Sequence, residues 1–194
     1  MNKTSYIKDS DGNEKWYDEN GNLVHYKDSD GYETWKEYNE NGNVIHFKNS
    51  DGFETWNEYD ENGNLTHFQN FIGYDAWNEY DENRNIIHHK CADGFEYCCD
   101  YDESGNLIHV KYDNGYEKWF KYDESGNLIH VKYDNGYEEW YDENGNLIHY
   151  KDSDGHEEWF KYDENGNLVH SKDSDGYEDC IEWFIEKKTR ANKL

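Results

Sequence analysis

Asp51-Gly52-Phe53-Glu54-Thr55-Trp56-Asn57-Glu58-Tyr59-Asp60-Glu61-Asn62-Gly63-Asn64-Leu65-Thr66-His67-Phe68 is one copy of a unit that fills most of this 194-residue chain. The anchor series Trp16, Trp35, Trp56, Trp77, Cys98, Trp119, Trp140, Trp159 and Cys180 advances in steps of 19, 21, 21, 21, 21, 21, 19 and 21 residues. Both short steps arise where Trp16 and Trp140 run straight into Tyr-Asp, omitting two residues such as Phe120-Lys121. One histidine recurs per unit, at His25, His46, His67, His88, His109, His130, His149 and His170; His89 and His156 lie outside that register. All 16 glycines fall in two registers, exemplified by Asn62-Gly63 and Asp51-Gly52. Asn-Gly or Asp-Gly between aromatic and β-branched runs marks a hairpin turn, because glycine takes positive φ without steric cost.

Each unit therefore reads as strand, turn, strand, turn. Consecutive hairpins without a crossover segment make an antiparallel meander. The expected fold is all-β: an elongated β-hairpin repeat array of about eight units of 19–21 residues. Such arrays need capped ends. Residues 1–9 are expected to supply an N-terminal edge strand, residues 10–180 the repeat domain, and residues 181–194 a C-terminal cap with a basic tail. A three-residue loop Glu61-Asn62-Gly63 would set Tyr59 opposite Leu65, Asn57 opposite His67 and Trp56 opposite Phe68. One face then carries Trp56 and Phe68, and the other Phe53, Tyr59, Leu65 and His67. Both faces are half apolar, which fits either a coiled sheet or a single-layer ribbon clad in aromatic ladders.

The chain carries 45 acidic and 19 basic residues, a formal charge of −26. That field repels nucleic acid and anionic membrane and steers basic partners inward. Aromatic residues make up 18% and supply the burial a disordered acidic chain lacks. No stretch approaches a membrane span, and Met1 to Lys8 has no apolar signal region, so a cytoplasmic location with reduced thiols is expected. Cys91, Cys98, Cys99 and Cys180 match no zinc-ribbon or disulfide spacing; Cys98 and Cys180 stand in Trp positions as smaller apolar substitutes.

The run Tyr59-Asp60-Glu61-Asn62-Gly63-Asn64-Leu65, followed about a dozen residues later by a glycine turn and an aromatic strand, resembles the YD repeat of bacterial Rhs-type proteins. It is also similar to MORN-type hairpin repeats of the YwqK family of antitoxins. The resemblance covers residues 10–180 and implies the hairpin architecture and a bacterial, phage or toxin-system setting. The Trp and His registers are not part of the usual YD pattern.

Candidate chemistry is sparse. Neighbouring register histidines lie two strands apart, about 9–10 Å in a flat sheet, too far to share one metal ion. The Asp28-Ser29-Asp30-Gly31, Asp152-Ser153-Asp154-Gly155 and Asp173-Ser174-Asp175-Gly176 turns lack the further ligands of a calcium loop. Carboxylates recur in like environments, whereas an acid/base pair needs unlike ones. No catalytic residues, metal site or cofactor are expected. Glu33, Glu54, Glu96, Glu117, Glu138, Glu157 and Glu178 form a candidate partner-binding acidic row. Trp35, Trp56, Trp77, Trp119, Trp140 and Trp159 form a candidate aromatic ladder. The expected function is a non-catalytic protein that binds and inhibits a basic, nucleic-acid-binding protein, as an immunity, antitoxin or phage anti-defence (anti-CRISPR) protein. The alternative is a structural or cell-surface module binding carbohydrate or peptide through its aromatic face. Open edge strands also invite homo-oligomers.

Overall fold

The computed structural model describes residues 5–180. The expected C-terminal cap, residues 181–194, and residues 1–4 of the expected N-terminal strand lie outside the described residues. Eighteen strands and no helix occur among the described residues, from β1 (Ser5–Lys8) to β18 (Glu178–Cys180). The chain divides into two units, Met1–Tyr97 and Cys98–Leu194, and the boundary falls inside β10 (Glu96–Tyr101). In the first unit β1 to β9 (Ile86–Cys91) form an antiparallel meander, each strand paired with the next. In the second, β11 (Leu107–Tyr112) to β18 do the same.

The turns are built as the glycines require. The amide of Asp60 donates to the Asn64 carbonyl at 3.0 Å, and that of Gly63 donates to Asp60 at 3.1 Å, with Gly63 at φ 82°. Asp60 Oδ1 accepts from the amides of Asn62 and Asn64, and Oδ2 accepts from the Asn64 side chain. The Asp and the second Asn of Asp-Glu-Asn-Gly-Asn thus hold the turn from inside, leaving the Glu free. Arg84 occupies the equivalent glycine position at φ 69°, where an L side chain is strained by about 1–2 kcal/mol. Glycine also costs more unfolded-state entropy, by about 0.4–1 kcal/mol. Arg84→Gly is therefore expected to raise stability by about 0.5–1 kcal/mol in urea titration; a loss would show that Arg84 makes a compensating contact.

The register beyond the turn differs from the expected one. Tyr59 pairs with Leu65, but Glu58 pairs with His67, Asn57 with Phe68 and Trp56 with Gln69. Thr66 is left over as a β-bulge, and six other hairpins among the described residues shift at the same place. A one-residue slip sends every later side chain to the opposite face. His67 accordingly shares a face with Glu58 and Trp56, and Phe68 shares the other with Thr55 and Asn57.

The bulge also explains the tyrosine. Tyr59 Oη donates to the carbonyl of Val44, and Tyr38, Tyr80, Tyr122 and Tyr162 donate to those of Leu23, Leu65, Leu107 and Leu147. Each phenol reaches the carbonyl beside the bulge of the preceding hairpin, a group the disrupted ladder leaves short of partners. Phenylalanine could not do this. Burial is shallow: Ala76, Cys91, Cys99, Val110, Val131 and Thr55 are buried, and no described large side chain falls below 2% exposure. Thr55, Ala76, Cys91 and Val131 all lie on the face opposite the register histidines.

Candidate functional site

On strand β5 (Val44–Asn49), His46 stands opposite Trp56 of β6 (Glu54–Tyr59), and Lys48 stands opposite Glu54. Alternation puts all four on one face. The His46 ring stacks on Trp56 with centroids 5.4 Å apart, and its Nε2 lies 2.8 Å from Glu54 Oε1. The imidazole–carboxylate bond recurs in eight repeats, and the stack on the following Trp in six of them. His25, His46, His67, His88, His109, His130, His149 and His170 each bond through Nε2 to the carboxylate eight residues on, at 2.5–2.9 Å.

The candidate acidic row is therefore an internally paired row. Glu33, Glu54, Glu96, Glu117, Glu138, Glu157 and Glu178 are all imidazole partners, and Asp75 fills the remaining place. Lys27, Lys90 and Lys111 add ion pairs of 2.9–3.2 Å to Glu33, Glu96 and Glu117. The His88 and Lys90 side chains hold Glu96 below the ordinary carboxylate range, and His170 does the same for Glu178.

The candidate aromatic ladder is a mixed stack. Trp35, Trp56, Trp77, Trp119, Trp140 and Trp159 lie face to face with His25, His46, His67, His109, His130 and His149 at 4.8–5.4 Å. The two-residue omission in the short units slides Trp16 and Trp140 directly opposite His25 and His149. Those tryptophans meet a ring at each side: Trp16 is tilted against Tyr6 and stacked on His25, and Trp140 is stacked on His130 and His149.

A second row on this face is set by the residue two after each Trp. Glu37, Glu58 and Glu79 approach Nδ1 of His46, His67 and His88 at 3.4–3.6 Å, and Asp100 approaches that of His109 at 3.0 Å. These carboxylates are exposed, Glu58 by 75% and Glu79 by 70% of the side chain. Flanked by two anions, His88 is held above its ordinary value, chiefly by Glu96. Burial opposes the same shift at His109, but Asp100 and Glu117 overcome it. Further along the second unit the position changes sign twice: Lys121 and Lys161 stand opposite His130 and His170. Trp119, Lys121, His130 and Lys132 there line an open groove of about 280 Å³.

The opposite face holds a cluster that sequence reading missed. Glu139 Oε2 accepts from Tyr133 and Tyr141, and Oε1 accepts from Tyr137, at 2.9–3.1 Å. Burial and then Glu139 push the Tyr133 and Tyr137 phenols up to about 12, and Tyr141 further. The Asp-Ser-Asp-Gly carboxylates serve their own turns: Asp28 Oδ1 accepts from Asp30 and Tyr32, and Asp152 Oδ1 from Asp154 and His156. All four cysteines are free thiols. Cys91 and Cys99 are buried, whereas Cys98 and Cys180, in the Trp positions, are exposed. Among the described residues two side-chain groups have metal-ligand composition and spacing, His170 with Glu178 and Cys180, and His156 with Asp173 and Asp175.

No curated protein matches the chain in sequence. Among solved structures, it is similar to the crystal structure of TcdB2-TccC3-TEV at a TM-score of 0.60 and 15% identity, over 90% of this chain and 12% of that one. It is similar to TcdB2-TccC3 at 0.58 and 14%, over 84% and 12%. The Photorhabdus luminescens Tc holotoxin pore gives 0.54 and 17%, over 87% and 9%. The chain thus spans about an eighth of the TcdB2-TccC3 chains, and at these identities the likeness is one of fold. The family profile described as RHS Repeat matches residues 141–178, and that described as MORN repeat variant matches residues 10–28, so this is a repeat protein related to both.

Proposed function

We propose that the chain is a non-catalytic binding protein that docks a basic, nucleic-acid-binding protein in the cytoplasm and inhibits it, in an immunity, antitoxin or anti-defence role. The supporting observation is the exposed carboxylate row Glu37, Glu58 and Glu79. The His-bonded row beside it is already neutralised in part, so this second row and the turn carboxylates carry the outward field. Members two strands apart sit about 9–10 Å from one another on one face, a linear array of anions suited to a basic groove. Four free thiols fit a reducing compartment.

The test is binding to a panel of basic nucleic-acid-binding proteins as salt is varied. Affinity for a true partner should fall steeply between low and high salt, and Glu37→Lys/Glu58→Lys/Glu79→Lys should abolish it. Binding indifferent to both would refute the reading. The carbohydrate- or peptide-binding alternative draws on Trp56 and Trp77, which remain 40% and 41% exposed despite their histidine stacks. It requires that Trp56→Ala/Trp77→Ala abolish binding while the charge reversals leave it intact.

A further inference from the structure

His170 breaks the repeat. Elsewhere in the second unit the register histidines His109, His130 and His149 each face a tryptophan on the next strand. His170 on β17 (Leu168–Asp173) faces Cys180 on β18 instead. Cys180 is exposed, as Trp56, Trp77 and Trp159 are at the same repeat position, so its thiol is open to an incoming ion. The His–Glu pair is retained, with Nε2 2.7 Å from Glu178 Oε1. One donor atom from each of His170, Glu178 and Cys180 lies within 4.8 Å of the other two.

We propose that His170, Glu178 and Cys180 form a binding site for a borderline-soft divalent ion of the zinc type. Imidazole nitrogen, thiolate sulfur and carboxylate oxygen are the donors zinc takes, with bonds of about 2.0–2.3 Å. Donors around a tetrahedral ion at those bond lengths stand about 3–4 Å apart, so modest rotations of three side chains at a strand pair convert the cluster into a ligand set. A water completes the coordination. Binding releases one proton, from the Cys180 thiol. The Nε2 lone pair turns to the metal while the imidazole proton resides on Nδ1. One thiolate and one carboxylate cancel the charge of a divalent ion. The site is then neutral overall, which limits its repulsion by Lys161 and Lys172, the two ammonium groups that also draw the Glu178 carboxyl down.

The same His–carboxylate pair occurs seven more times among the described residues. Six have Trp two residues after the carboxylate and serve as internal controls; the seventh, His88–Glu96, has Cys98 there but is not among the compact donor groups of the described residues. The second cluster, His156 with Asp173 and Asp175, has no sulfur and would hold such an ion less tightly at equal metal concentration.

The test is cobalt(II) titration of the whole chain under a thiol-free reductant, followed by displacement with zinc. The expected result is one equivalent of cobalt giving a thiolate charge-transfer band in the near ultraviolet, which zinc abolishes. Cys180→Ser should remove the band and weaken zinc binding about tenfold or more. Cys180→Trp, which restores the repeat, should abolish binding and keep the fold by circular dichroism. Cys98→Ser should change neither. The proposal is overturned if wild type shows no thiolate band, or if the band survives Cys180→Ser and disappears in Cys98→Ser. Neither result bears on whether the acidic row docks a basic partner.

Discussion

Glu139→Ala is expected to lower stability by about 2–3 kcal/mol, the largest loss from any single polar side chain described above. Three phenols converge on this carboxylate. A hydrogen bond to a charged acceptor contributes about 1.5–3 kcal/mol when buried; half-burial and water replacement bring the sum well below the nominal total. The packing cost of the truncation is small, because two equivalent positions in the first unit hold small buried residues, Thr55 and Ala76. What is lost is the common acceptor that orders Tyr133, Tyr137 and Tyr141. Glu139→Gln keeps one carbonyl oxygen and adds an amide that can donate to a phenol oxygen, so it should cost less than half as much. Spectrophotometric titration separates this account from simple destabilisation. With the anion gone, the Tyr133 and Tyr137 phenols, now near 12, should drop toward their ordinary value of 10 in the folded variant. Unchanged tyrosine titration together with unchanged stability would show that the phenols do not depend on Glu139.

Glu139 also marks where sequence reading stops. Its position holds Thr55, Ala76 and Lys118 in other units, so no periodic signal singles it out. Only the coincidence of three tyrosines from the neighbouring turn and strands gives it a role. The turns are the opposite case. Asp60, Asn62, Gly63 and Asn64 specify the loop through purely local bonds, and local chemistry is legible in a local string. Register lies between. Leu65 and Thr66 belong to a run whose alternation does not reveal which residue is left unpaired, and the unrecognised bulge put the histidines on the wrong face. A signal for the correct face does exist in the chain. Histidine and carboxylate keep an eight-residue spacing in all eight units, including those following the short steps, while the Trp-to-Tyr interval varies. A fixed interval spanning a turn marks a cross-strand pair, and it would have revealed that the acidic row is partnered.

The same pairing makes stability depend on pH in a way the net charge alone would not predict in detail. Asp81, Asp102, Asp123, Asp142 and Asp163 are each held below their ordinary value of 3.8, and in all five the largest lowering influence is the Asn side chain four residues on. The unfolded chain binds those protons more readily. The turns' contribution is therefore complete above about pH 4 and is lost as acid titrates the folded carboxylates. Five hairpins fail over one narrow range, so unfolding below about pH 3 should be steep. His88 and His109 work in the reverse sense, being held above 6.5 by their carboxylate partners. Their contribution is complete below pH 6.5 and fades as pH climbs through the raised folded values. Protonating all ten histidines also moves the formal charge from −26 to −16 (−26 + 10), which relieves self-repulsion of the compact state. The two trends meet in a stability maximum near pH 5–6.5, acidic of neutrality. Thermal melts from pH 3 to 9 should show it, with Tm at pH 6 above that at pH 8. Added salt should flatten the part due to long-range repulsion while sparing the contact pairs. His88→Asn/His109→Asn should shrink the decline between pH 6 and 8 without altering the acid limb. A Tm that rises steadily from pH 6 to 8 would mean that imidazole–carboxylate pairs in the stack contribute nothing as ions, and that the histidines act only as flat rings between tryptophans.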